Sequence, residues 1–443
     1  MQPLTGVDLG TVGLGIGVVA KLTRRLLPFL FLLYIVAYLD RINVGFAVLQ
    51  MRDQLHLSDR VYGRAAGMFF AGYFFFQVPS NLVLQTVGVR RWISGLMVVW
   101  GLVSCSMIFI RGPVSFYITR FLLGAAEAGF FPGMILYLKH WFPRHARARA
   151  VAWFMTANPL AGVFGSPLSG ALLGMHRGGL AGWQWLFMME GTPAICLGFL
   201  VLWVLVEHPH QATWLPTEQR NWLLEKLEPE HLTSTPLGTE SLHAAFISGS
   251  VWILSLVYFG IPAGMYGVTL WLPSVIRSLS GLSDLMIGVT SVIPYVLTAV
   301  VMVLAGRHSD RCDERRWHTA LPAFLGALAL GLAAYSRTPF LVVAGMSLGM
   351  MGAQAMTGPF WAMATAQTSG VSAAPAIAII NSIGNLGGYF GPYIIGLARS
   401  ANGEFRGGLL AIGAVLAGSG LLALTVGTWV GRQQLAKTVE STG

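Results

Sequence analysis

Apolar residues along this chain come in runs of about 20 residues, the length a helix needs to cross a bilayer, with short polar segments between them. Bounded by charges, Gly and Pro, the runs fall near 26–48, 62–85, 92–110, 114–138, 149–173, 184–206, 247–272, 285–306, 318–335, 338–364, 372–398 and 407–430. They group as six and six around 207–246, the long polar interval, where Glu218, Arg220, Glu225, Lys226, Glu228 and Glu230 surround Trp222 and Leu223. A short surface helix followed by a Ser/Thr/Pro linker fits that interval. The pattern predicts an all-α membrane protein of twelve transmembrane helices. Its N-terminal six-helix bundle covers 26–206, a cytoplasmic inter-bundle loop 207–246, its C-terminal bundle 247–430 and a cytoplasmic tail 431–443. Residues 1–25 are apolar and Gly-rich until Lys21, Arg24 and Arg25, which follow the apolar stretch instead of preceding it. That order reads as a loose cytoplasmic extension and not as a cleaved signal.

Composition agrees: 55% hydrophobic and 10% charged residues place the chain outside the soluble globular class. The net charge of +10 does not imply a nucleic-acid partner, because the basic residues sit in short clusters between apolar runs and form no stripe on a polar face. With the N-terminus inside, 17 of the 28 Lys and Arg fall on the cytoplasmic side, which favours both termini inside. Cys105, Cys196 and Cys312 are far apart in sequence and odd in number, and the histidines lie in loops or at span ends. Neither a disulfide framework nor a metal or haem site is expected.

Charges inside the apolar runs carry the chemistry. In FYITRFLLGAAEAGFFPGMILYLKHW, Arg120 and Glu127 stand seven residues apart, hence on nearly one face of a helix and about 10 Å apart along its axis. A charge at mid-membrane depth costs about 2.5–3.5 kcal/mol on the lenient insertion scales, so the pair implies a protein-lined or water-filled interior. Asp40 and Arg41 are adjacent in the first span and point about 100° apart, so each has its own neighbour. A buried carboxyl whose Arg neighbour can change partner is a proton switch, and an Arg fork binds a carboxylate bidentately. Glu190, about two turns into the sixth span, suits bracing a helix end as well as moving protons. Tyr38, Tyr73 and Trp361 suit either packing or a substrate wall, and Asn158, before Pro159, suits either capping the backbone freed by the proline or touching substrate. Asn381 and Asn385, four apart amid glycines, suit either a ligand or an interhelical contact. PSNLVLQTVGVRRW at the end of the second span, with Asn81, Arg90 and Arg91, is echoed by AGRHSDRCDERRWH at the end of the eighth, with Asp310, Arg311, Arg315 and Arg316. Repeated halves of this kind build alternating-access transporters, with the substrate between them.

YLDRINVGFA at 38–47, FFQVPSNLVLQTVGVRRW at 75–92, RFLLGAAEAGFFPGMILYLKHWFP at 120–143, GPFWAMATA and NSIGNLGGYFGP together resemble the major facilitator superfamily. Within it the chain is similar to the anion:cation symporter family, in particular its tartrate, phthalate and hydroxyphenylacetate carriers. The resemblance implies proton-driven uptake of a small organic anion, a mono- or dicarboxylate or a sugar acid, by alternating access, with no cofactor beyond the proton gradient and no enzymatic activity. It makes Asp40 and Glu127 the protonatable carboxylates, Arg120 the residue coupling proton to substrate, Arg41 a substrate-carboxylate ligand and Asn385 a substrate ligand from the second half. Asn81 stands where the wider superfamily often has an Asp, which leaves Arg90, Arg91, Asp310 and Arg311 as the expected gate. A monomer in a bacterial inner membrane is the expected setting. The other readings are a transporter-like sensor without flux, a membrane-embedded enzyme, which would need clustered catalytic groups at one interface, and a drug exporter of the same fold.

Overall fold

In a computed structural model the chain is all-α, with no strand among the described residues, which are 9–232, 239–368 and 373–442 for the backbone and 13–227, 243–368 and 375–426 for side chains. Spans 1 to 6 are Leu9–Ile42 continued by Val44–Gln54, Asp59–Val87, Val89–Ser106, Pro113–Glu127 continued by Phe130–Trp141, Arg144–Met155 continued by Ala157–Leu173, and Gly182–Val204. Spans 7 to 12 are Gly249–Ser280, Asp284–Cys312, Arg316–Tyr335, Pro339–Ala355 continued by Thr357–Gln367, Ala373–Asn385 continued by Gly387–Asn402, and Arg406–Thr442. Ten of these stretches are long and apolar enough to cross a membrane. Spans 5 and 11, each a pair of shorter helices, complete the twelve.

Five spans are broken, and the breaks have a common cause in three of them. Proline lacks the N–H that would bond the carbonyl four residues back. Pro132, Pro159 and Pro359 therefore release the carbonyls of Ala128, Met155 and Ala355, where the helices of spans 4, 5 and 10 are interrupted. Span 1 breaks at Asn43 and span 11 at Leu386, before Gly387 and Gly388. Asp40, Arg41, Glu127, Asn158 and Asn385 all lie within three residues of a break, so the interruptions cluster where the polar side chains are. Irregular backbone is tolerated at membrane depth where it is shielded by protein or lines a polar cavity.

Two features differ from the sequence expectation. Residues 9–25 are not loose: they form the first turns of the span 1 helix, whose Val18 and Leu22 are fully buried. There Lys21 donates to Gln219, and the Arg25 guanidinium lies 4.8 Å from the Trp214 ring. The apolar, Gly-rich stretch thus finds a surface on the inter-bundle segment, which allows Trp222 to press close over Gly15. That segment carries two helices, Thr217–Leu232 and Thr239–Ile247, where one was expected. Residues 1–8, 233–238 of the expected linker, 369–372 and Gly443 of the expected tail lie outside the described residues.

At the end opposite the termini the bundles are drawn together. Span 2 meets span 11, and span 5 meets span 8, through glycines: a Cβ on Gly396 would stand 2.5 Å from the Asp59 carbonyl, and one on Gly170 would stand 2.6 Å from that of Asp284. Such close approach requires small residues. Polar bonds cross the same seam. Asp59 accepts from Arg52 of its own bundle at 2.7 Å and from Arg399 of the other at 3.2 Å. Asp284 accepts from Arg277 at 2.6 Å and, across the seam, from Gln50 at 2.9 Å. The Tyr62 hydroxyl donates to the Leu270 carbonyl at 2.6 Å.

Candidate functional site

Spans 1, 4 and 6 bring their ionisable side chains to one place inside the N-terminal bundle, where spans 3 and 5 add the hydroxyls of Ser104 and Ser169. Asp40, Arg120, Glu127 and Glu190 are at most 2% exposed and Arg41 is 9% exposed. Arg41 donates from Nε to Glu127 Oε2 at 2.9 Å. The helix carrying Arg120 ends at Glu127, and it is Arg41, 86 residues earlier in the chain, that holds the Glu127 carboxylate. Arg120 instead donates from Nη1 to the backbone carbonyl of Asp40 at 3.4 Å. Both guanidinium groups lie near one ring: Arg41 is 5.4 Å and Arg120 5.1 Å from the Phe69 centroid. Arg41 also lies 5.2 Å from Tyr38 and 5.4 Å from Tyr73, so aromatic faces replace part of the lost hydration of the cation.

Asp40 is held separately from Arg41. Its Oδ1 accepts from Ser104 at 2.6 Å and from Asn43 at 3.4 Å. Glu190 does not brace a helix end: it accepts from Ser169 at 2.9 Å and faces Asn43 and Asp40. Several polar atoms of this cluster, all buried, have no partner: Arg41 Nη2, Arg120 Nε and Nη2, Asp40 Oδ2, Asn43 Oδ1, Glu127 Oε1 and Glu190 Oε2. Buried groups of this kind are satisfied in nearly all proteins, so an unpaired set at a cluster of breaks is the mark of a functional site.

The second bundle closes the site with neutral groups. Tyr38 accepts from Asn158 of span 5 and, at 3.1 Å, from Tyr266 of span 7, joining the two halves. Tyr258 stacks on Phe360 and meets Trp361 edge-on with centroids 4.9 Å apart. Asn385 donates to the Asn381 carbonyl at 2.8 Å and to its side-chain oxygen at 3.2 Å, so the two asparagines occupy one half-buried face. Ser382 donates to Gln77 of span 2 at 3.0 Å. Asn43, Phe69, Tyr258 and Tyr266 were not singled out by the sequence. Tyr266, in GMYGVTLW amid the buried residues of span 7, had a signal: a hydroxyl flanked by glycines inside an apolar run.

The expected gate residues lie at the end carrying the termini and are not joined across the bundles. The backbone N–H groups of Val89 and Arg90 donate to Glu207 at 2.6 and 3.0 Å, and the Arg90 side chain donates to the Leu202 carbonyl. Asp310 pairs with Arg315 at 2.6 Å, while Arg91 and Arg311 are exposed. At this end these gate residues bond within their own half. At the other the halves bond to each other.

A profile of the Major Facilitator Superfamily matches residues 30–392. A protein of Agrobacterium vitis named for tartrate transport is 47% identical over 408 residues, 92% of this chain and 90% of its own length. A quinolone resistance transporter of Acinetobacter baumannii is 38% identical over 400 residues, 90% of this chain and 92% of its own. Among solved structures, a bacterial homolog of the human lysosomal transporter Spinster, crystallised inward-facing and occupied, superposes with a TM-score of 0.74 at 16% identity, covering 91% of this chain and 96% of that one. With a twelve-helix fold and transporters for relatives, this chain is a multi-pass secondary transporter and belongs to the Major Facilitator Superfamily.

Proposed function

We propose that the protein takes up a small organic anion of the tartrate type, a hydroxylated mono- or dicarboxylate, together with protons. The observation that carries this reading is the pair of buried arginines with unpaired N–H groups, Arg41 Nη2 and Arg120 Nε and Nη2, placed about the Phe69 ring, with Arg41 also against Tyr38, which joins the two halves. A carboxylate is the ligand whose charge and fork geometry answer both. The 47% identity to a protein named for tartrate transport supports the same class.

In the cycle that follows, Asp40 and Glu127 take up protons from the acidic side. Neutral Glu127 releases Arg41, and the anion is drawn to Arg41 and Arg120. Tyr38, Tyr73, Asn158 and Trp361 wall the site, and Asn381 and Asn385 exchange their mutual bond for substrate oxygens. Rocking of the halves about the bound anion then exposes it to the other side, where Arg41 re-pairs with Glu127 as the proton leaves. Arg90, Arg91, Asp310 and Arg311 close the end that carries the termini when the opposite seam opens. In this reading the protein sits as a monomer in the inner membrane, with both termini cytoplasmic.

Reconstituted protein given labelled tartrate, phthalate, hydroxyphenylacetate, galactonate and glucuronate with acid outside is expected to accumulate one of the carboxylates and to lose it on addition of a protonophore. Accumulation indifferent to the protonophore would reject proton coupling. The quinolone resistance relative favours export as the second reading. Acid-driven efflux of a lipophilic cation, with no anion uptake, would establish that instead.

A further inference from the structure

Behind the Arg41–Glu127 pair lies a second buried cluster, in which Asp40 and Glu190 face each other across Asn43. Its hydrogen-bond inventory does not close with both acids ionised. The Ser104 hydroxyl hydrogen is spent on Asp40 Oδ1, the Ser169 hydroxyl hydrogen on Glu190 Oε1, and the Asn43 amide donates to Asp40 Oδ1. Three acceptors are left over, Asp40 Oδ2, Asn43 Oδ1 and Glu190 Oε2, on residues no more than 2% exposed. No Lys, Arg or His forms an ion pair with Asp40 or Glu190 among the described residues.

We propose that Glu190 is held as the protonated acid, its hydroxyl donating to Asn43 Oδ1, and that Glu190, Asn43 and Asp40 form a proton-holding site separate from the Arg41–Glu127 pair. Asn43 is placed for this at the break in span 1, beside both acids: its amide donates to Asp40 and its oxygen has no donor partner. A carboxylic acid supplies that donor, as an ionised carboxylate cannot. One proton also balances the interior. The groups facing this site are Arg120 and Glu127 of span 4 and the Cys105 thiol of span 3, with Arg41 of span 1 beyond them on Glu127. With Glu190 neutral, Arg41 and Arg120 are matched by Asp40 and Glu127. Two carboxylates close together resist joint ionisation, so the pair shares its protons as a unit. That this proton takes part in transport rests on the symport reading above. That it is present does not.

Infrared difference titration of the reconstituted full-length protein reads it directly. The expected result is a protonated-carboxyl carbonyl band that persists at neutral pH, disappears in Glu190→Gln and remains in Glu127→Gln. Glu190→Gln retains an N–H donor for Asn43 and is expected to fold. Asn43→Ser, which changes the acceptor, should shift the band without removing it. If tartrate uptake proves proton-driven, protons taken up per substrate should fall by one in Glu190→Gln. No such band in the wild type, or a band unchanged in Glu190→Gln, overturns the proposal. Sodium-dependent uptake with sodium binding abolished by Glu190→Gln would overturn it in favour of a metal cation on the same oxygens. Wild-type uptake indifferent to a protonophore, with the band intact, would refute the symport reading and leave the protonated acid standing.

Discussion

The two bundles repeat one architecture but furnish it with opposite chemistry. The N-terminal half buries Asp40, Arg41, Arg120, Glu127 and Glu190. The C-terminal half brings Tyr266 to Tyr38, carries the neutral Tyr258, Trp361, Asn381 and Asn385 on spans 7, 10 and 11, and keeps its span charges close to the helix ends, as with Arg277, Asp284 and Arg399. Charge buried at membrane depth is costly and titratable, whereas amides and aromatic rings are cheap to bury and read shape. Under the proposed function this contrast is a division of labour, in which the first half would sense protons and attract charge and the second would select among anions.

The largest effect is expected from Arg120→Ala. A hydrogen bond to a charged partner contributes about 1.5–3 kcal/mol, so losing the proposed contact of Arg120 with the anion should lower uptake on the order of a hundredfold while the protein remains in the membrane, as initial rates in proteoliposomes with matched protein content would show. An Arg120→Ala carrier that transports normally would break the division. On the other side, Asn385→Ala should raise the KM for the anion about tenfold, the loss of one or two hydrogen bonds, with the proton-to-substrate ratio unchanged. A changed ratio would show that the second half also takes part in coupling. Next comes Asp59→Asn, which weakens the bond from Arg399 across the seam. The balance of states should move about fivefold toward separation at that end, read from the distance between spin labels on Asp53 and Gly281.

The smallest effect concerns a helix end of the second half. Glu314 accepts from the N–H groups of Trp317 and His318 at 2.8 and 3.1 Å and caps the start of span 9. Partial burial works to raise its carboxyl, but those bonds and the His318 ring outweigh it and hold the carboxyl below the usual carboxylate range. A depressed folded value means that the cap's contribution is present at neutral pH and lost as the pH falls through that value. Glu314→Ala should cost about 1 kcal/mol, seen as a lower Tm at neutral pH that converges on the wild type in acid.

How much of this was legible in the chain depends on the range of the interaction. Spans follow from local hydropathy, and the intramembrane charges announce themselves because they are expensive. Three of the five helix breaks could have been suspected from Pro132, Pro159 and Pro359, but so could breaks at Pro28, Pro262 and Pro294, which lie inside unbroken helices. The break at Asn43 could not, since no proline marks it. Partner choice is tertiary: Arg120 is the sequence neighbour of Glu127 on one helix, yet Arg41 from another span takes the carboxylate. The extension 1–25 misled because its glycines and lack of polar pattern signal looseness, while the surface that orders residues 9–25 lies some two hundred residues away, at Trp214 and Trp222.

The central claim is that Glu127 couples proton to anion through Arg41. Glu127→Gln, which cannot ionise, should still exchange labelled for unlabelled substrate across proteoliposomes at equal pH but should no longer concentrate it when the outside is acid. Exchange retained with accumulation lost is the predicted result. A Glu127→Gln carrier that still concentrates substrate under a pH gradient would contradict the account.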